Sequence, residues 1–120
     1  MKVAITSQGT EPNSQVDSRF GRAKYFVVAD TVTGEFSAHD NSQNLNAVQG
    51  AGIQAGRNVV ALGVEAVITG NTGPKAFAAL QAGGVKVYIG ATGTVAEAVE
   101  RFKAGKLECV SKANVEGHWI

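Results

Sequence analysis

Residues 65–80, Glu65-Ala-Val-Ile-Thr-Gly-Asn-Thr-Gly-Pro-Lys-Ala-Phe-Ala-Ala-Leu80, constrain the fold more than any other stretch of this chain. Residues 66–69 are a short apolar run rich in β-branched side chains, which Gly70-Asn71-Thr72-Gly73-Pro74 then breaks. Helical spacing follows, with Phe77 and Leu80 apolar and Ala76 and Ala79 beside them. The pattern predicts strand, tight loop, helix. Pro74 fits the first helical position, where its missing N–H is no loss, so Gly73 or Thr72 is the N-cap. Unpaired N–H groups at a helix start, beside the C-terminal end of a strand, suit an anion. An ordinary βα turn carries the same residues, and the loop alone does not choose between the two.

The rest of the chain supplies partners for that unit. Residues 2–6 read as a buried strand and 7–13 as a polar loop with Gly9 and Pro12. Residues 24–30 and 35–40 read as two strands joined by a turn at Gly34, which makes a hairpin. A polar loop, 41–46, leads to a helix over 47–62. Gly50, Gly52 and Gly56 weaken that helix by roughly 1 kcal/mol each relative to alanine. They imply close approach of either a neighbouring strand or a ligand. Residues 85–89 form a further strand, and Gly90-Ala-Thr-Gly-Thr94 repeats the loop design. Thr94 and Glu97 make a capping box, Val95, Val99 and Phe102 share a face, and Gly105 is the stop. The segment 106–120 reads as a tail with a short strand at 107–110 as an option.

Element order is thus β-β-β-α-β-α-β-α. A hairpin is antiparallel, whereas strands joined through helices are parallel with right-handed crossovers. A mixed five-stranded sheet of order 3-2-1-4-5, with only strand 2 reversed and helices on both faces, satisfies both conditions. This is the ribonuclease H-like layout. It brings loops 7–23, 40–46, 70–73 and 90–94 to one edge, at a topological switch point where open α/β sheets bind ligands.

Composition narrows the chemistry. The 120 residues suffice for one domain with a core, read here as 1–120, and the 44% hydrophobic and 18% charged content is that of a globule. A net charge of +1 provides no global field for nucleic acid or membrane, so any electrostatic binding is local. Cys109 is the single cysteine, which excludes an internal disulfide or a thiolate cage; it reads as a small core residue. No signal peptide or membrane-length apolar run is apparent, so a cytoplasmic location is expected.

Several enzymes are excluded by what is missing. A metal-dependent nuclease on this layout needs carboxylates near the first strand, and residues 2–6 have none. Residues 70–75 lack the spacing and the Lys-Ser/Thr pair of a phosphate loop. His39 and His118 have no recognisable catalytic partner and read as surface residues. What the edge offers is donors: Arg19 and Arg22 in one loop, Gly50, Ala51 and Gly52 at a helix start, and Gly70, Asn71, Thr72, Gly73 and Lys75 in the opening unit. Arg19 pairing with Asp17, and a solvated Lys75, are the structural alternatives. The tail ends in Trp119, either a free end or a lid over a site.

Three stretches in order, Asp17-Ser-Arg-Phe-Gly-Arg-Ala-Lys-Tyr-Phe26, Gly50-Ala-Gly-Ile-Gln-Ala55 and Val67-Ile-Thr-Gly-Asn-Thr-Gly-Pro74, resemble the dinitrogenase iron–molybdenum cofactor biosynthesis family. The resemblance implies a ribonuclease H-like fold and non-catalytic handling of a metal–sulfur anion. Some members of that family carry a histidine just before the Gly-Ala-Gly motif, where this chain has Val48-Gln49. That departure favours the orange-protein type, in which a molybdenum–copper sulfide cluster is held noncovalently. The expectation is a carrier or scaffold, not an enzyme, for a molybdenum-containing sulfide cluster or its thiomolybdate precursor, with protein partners in a larger complex. The ten donor residues named above are its expected contacts. A cofactor-free interaction module and an enzyme acting on a small anionic metabolite are the alternatives.

Overall fold

The computed structural model describes residues 1–41 and 51–110. Its strands are β1 (Lys2–Ser7), β2 (Tyr25–Asp30), β3 (Phe36–Asp40), β4 (Ala66–Ile68), β5 (Lys86–Ile89) and β6 (Glu108–Val110). Its helices are α1 (Ala51–Ala61), α2 (Pro74–Ala82) and α3 (Val95–Lys103), with a 3-10 turn at Phe20–Arg22 before β2. The strands form a sheet of order β3-β2-β1-β4-β5-β6. β1–β2, β2–β3 and β5–β6 are antiparallel, and β1–β4 and β4–β5 are parallel.

The expected order 3-2-1-4-5 and the reversed strand 2 are present, but the sheet has six strands and not five. The sixth comes from the segment read mainly as a tail. After α3 the chain turns at Gly105, whose φ of 72° is open to glycine without a Cβ clash, and Glu108 then pairs with Ile89. That pairing covers the edge β5 would otherwise expose.

Side-chain alternation divides the core between two faces. Ala4, Phe26, Val28, Val67 and Val87 face α1 and α2, where they meet Ala55, Val59, Phe77 and Leu80. Val3, Ile5, Val27, Ala29 and Ile68 point the other way, to Val95, Ala98 and Val99 of α3. Helices therefore cover both faces, as expected. A one-residue slip of β1 against β4 would swap Val3 and Ile5 with Ala4, so both helical layers hold the register.

Two readings made from residue type alone are corrected. The nearest atom to a Cβ on Gly56 would be the Ala79 Cβ, at 2.9 Å, so that glycine serves helix-on-helix packing between α1 and α2, not a strand. Cys109 is exposed, because it lies on the short outermost strand rather than inside the sheet. Among the described residues no helix is long and apolar enough to cross a membrane. His118 and Trp119 lie outside the described residues, as do Gly50 and positions 42–46 of the expected loop.

Candidate functional site

The parallel pair β1 and β4 ends at Ser7 and Ile68, and strand order reverses there, with β2 on one side and β5 on the other. The same dipeptide stands at this end of each, Ile5-Thr6 and Ile68-Thr69. Thr6, Ser7 and Thr69 are fully buried, so the sheet's end is polar although the sheet is not. Buried hydroxyls require partners. The Thr6 Oγ1 lies 2.6 Å from the Asp17 carbonyl oxygen and 2.9 Å from the Thr69 Oγ1. Asp17 N–H returns to the Thr6 carbonyl at 2.9 Å.

Those bonds draw the loop after β1 across the switch point. The Asp17 Oδ1 accepts the Arg19 backbone N–H at 3.0 Å. Asp17 thus serves the Arg19 backbone; no ion pair between the two side chains occurs. The Ser18 carbonyl accepts from both the backbone N–H of Asn71, at 2.8 Å, and its Nδ2, at 3.2 Å. Phe20 N–H donates to the Asn71 carbonyl at 3.3 Å, completing a short parallel bridge between Arg19 and Asn71. The first and third donor loops are therefore brought together.

The predicted donors are not equivalent. Arg19 is exposed, and Arg22 is half-buried at the end of the 3-10 turn, which packs against α1. Gly70 stands where a Cβ would lie 2.8 Å from both Cα and O of Ser18. Its missing side chain therefore admits the neighbouring loop, whose Ser18 backbone fills the place a Cβ would take. Asn71 spends part of its amide on the Ser18 carbonyl, and Thr72 is fully buried. Gly73 is the N-cap of α2 with φ −85° and ψ 172°, and no side chain caps that end. Pro74 has no N–H, so among the described residues the first free helix donors are the N–H groups of Lys75 and Ala76, which meet no acceptor there. The Lys75 side chain is exposed and lines a groove of about 680 Å³ between α1 and α2, beside Ile53, Arg57 and Ala79. Ala51 opens α1 and Gly52 is buried in its first turn.

The second βα loop differs from the first despite similar composition. Thr94 and Glu97 form the expected capping box: Glu97 N–H donates to the Thr94 Oγ1 at 3.2 Å, and Thr94 N–H to the Glu97 Oε1 at 2.9 Å. That backbone bond, with the Thr94 hydroxyl next, holds the Glu97 carboxyl below its ordinary value. The next donors, on Val95 and Ala96, bond the carbonyls of Ser14 and Pro12. The α3 start is thus closed by the chain itself, while among the described residues the α2 start meets no such acceptor.

Residue-type reasoning missed Thr6, Thr69 and Asn41. Asn41 is fully buried, donates through Nδ2 to the Ala23 carbonyl at 2.9 Å, and accepts from Asn58 Nδ2 at 3.3 Å, tying the end of β3 to α1. The repeated Ile-Thr ending was the available signal for the threonines. Among the described residues, no group of three or more His, Cys, Asp and Glu is placed to hold a metal ion. The donor set is suited to hydrogen-bonding and charge-pairing with an anion.

Fold and loops together define a small mixed-sheet α/β protein with the loops of Arg19 and Asn71 joined at its switch point. Residues 1–105 match the family described as dinitrogenase iron-molybdenum cofactor, and the chain belongs to that family. It is similar to the apo form of the orange protein from Desulfovibrio gigas, with 39% identity, 95% of this chain and 96% of that one covered, and a TM-score of 0.92. A Thermotoga protein of the DUF35 family, described as NifB-like, shows 40% identity over 97% of this chain and 98% of its own, with a TM-score of 0.83. An uncharacterized protein of Methanocaldococcus jannaschii is 30% identical over 110 residues, 90% of each chain.

Proposed function

We propose that this chain is a non-catalytic carrier or scaffold for an anionic metal–sulfur cluster, a molybdenum-containing sulfide with or without copper, or for its thiomolybdate precursor. Family membership and likeness to the orange protein support a role in cluster binding or cofactor assembly. The observation that carries the reading is the unequal treatment of two helix starts at one sheet edge. The start of α3 is sealed by carbonyls and a capping box, whereas among the described residues that of α2 keeps unbonded N–H groups beside the bridged loops of Arg19 and Asn71. A sulfide cluster is a polyanion, and its sulfurs accept hydrogen bonds from such groups and pair with guanidinium charge. The residues present fit that cargo. In this reading the layout is ribonuclease H-like, the chain acts as one cofactor-binding domain in the cytoplasm, and its macromolecular partners are proteins rather than nucleic acid or membrane.

Anaerobic incubation with tetrathiomolybdate, with and without copper, tests the proposal by absorbance and metal analysis after desalting. A coloured protein with near-stoichiometric molybdenum is the expected result. A chain that stays colourless but co-purifies with a protein partner points instead to the interaction-module alternative.

A further inference from the structure

We infer that Thr6 and Thr69 are positioning residues that set the Asp17–Phe20 segment, and with it Arg19, over the switch point; in its ligand-binding consequence this rests on the anion-carrier reading above. Thr6 holds Asp17 at two atoms, since its carbonyl accepts the Asp17 N–H at 2.9 Å and its hydroxyl lies 2.6 Å from the Asp17 carbonyl. A carbonyl only accepts, and a hydroxyl has one proton, so the Thr6 proton goes to Asp17. The 2.9 Å contact between the two threonines is then filled by the Thr69 hydroxyl donating to Thr6. The relay therefore runs from Thr69 through Thr6 to Asp17, and each bond polarises the next. Both threonines are 0% exposed, so a hydroxyl that loses its partner there is left buried and unsatisfied.

The relay couples the two central strands to the loop that carries the cation. Thr6 follows Ile5 and Thr69 follows Ile68, and those isoleucines are paired across β1 and β4. From Asp17 the path continues through Oδ1 to the Arg19 N–H at 3.0 Å, and from Ser18 to Asn71 at 2.8 Å. Arg19 is exposed and long, so its charge is placed by its backbone rather than by packing of its side chain. Neither threonine is assigned contact with the cargo.

Thr6→Val keeps the β-branched shape and removes the proton; Thr6→Ser restores the hydroxyl. Anaerobic titration with tetrathiomolybdate should show affinity about five- to tenfold lower for Thr6→Val, with recovery in Thr6→Ser. Combined with Arg19→Ala, Thr6→Val should add little further loss, because the two act on one contact. Amide exchange without ligand should rise at Asp17 and Asn71 in Thr6→Val while Ala4 and Val28 stay protected. Thr69→Val, which leaves the Thr6–Asp17 bond in place, should lose less than Thr6→Val and serves if that variant folds poorly. Unchanged exchange at Asp17 and Asn71, equal affinities of Thr6→Val and wild type, or full additivity with Arg19→Ala would each overturn the inference. Failure of wild type itself to bind tetrathiomolybdate would sink the carrier reading, while the exchange measurement still decides whether the hydroxyl pair sets the loop.

Discussion

Gly70→Ala is the substitution whose sign is decided by geometry. Gly70 does not have a positive φ, so removing unfolded-state freedom would by itself stabilise by about 0.4–1 kcal/mol. The new Cβ, however, would lie 2.8 Å from Ser18 Cα and O and 3.0 Å from its Cβ. Unstrained carbon contacts begin near ~3.5 Å, so the two loops must separate by several tenths of an ångström. The obstacle is backbone, which cannot swing aside as a side-chain tip does. Overpacking of this kind costs about 1–3 kcal/mol. The Ser18 carbonyl also moves away from Asn71, whose two bonds to it measure 2.8 and 3.2 Å, at a further ~1 kcal/mol. The net loss is about 1–3.5 kcal/mol, a fall in melting temperature of roughly 5–15 °C for a chain of this size. Urea denaturation should give a lower midpoint with an unchanged slope, since compactness is unaltered. Tetrathiomolybdate uptake should fall with it, because Arg19 rides on the displaced loop. A Gly70→Ala protein as stable as wild type would refute the close packing of the two loops.

Three further outcomes follow from the same structure. Arg19→Ala should weaken tetrathiomolybdate binding more than Lys75→Ala, because the Lys75 side chain lies in the α1–α2 groove, and wild-type affinity should drop with rising salt; the reverse ranking in a titration at two ionic strengths argues for a site around the groove. Cys109→Ser should leave both stability, within about 0.5 kcal/mol, and metal content per chain unchanged, since the thiol is exposed on the edge strand; loss of bound molybdenum in that variant would show thiolate ligation. Glu97 has a depressed pKa, so its ionised cap contributes stability that is present above the unfolded carboxylate value and lost as pH falls through the folded one. Glu97→Gln should therefore lower stability at neutral pH, with the difference from wild type shrinking below about pH 4; a difference independent of pH would mean that the charge of Glu97 has no part in the cap.

Local sequence determined the pieces of this protein, and tertiary structure decided how they are used. Hydrophobic period and turn residues suffice for the β2–β3 hairpin, the two βα units and the capping box of Thr94 and Glu97, because those signals act within a few residues. Chain connectivity then leads to the sheet order from β3 to β5, since helical crossovers admit only parallel pairing with one hand. The strand β6 was not secure at that level: three residues have no intrinsic reason to be extended until the edge of β5 is beside them. The glycines were equally ambiguous, because a missing Cβ says that something comes close but not what. Ala79 fills that place at Gly56, and the Ser18 backbone fills it at Gly70. The two similar loops parted company for the same reason. Whether a helix start is open or sealed depends on carbonyls from residues far away in the chain, and only folding brings Pro12 and Ser14 to α3, while among the described residues no side chain caps α2.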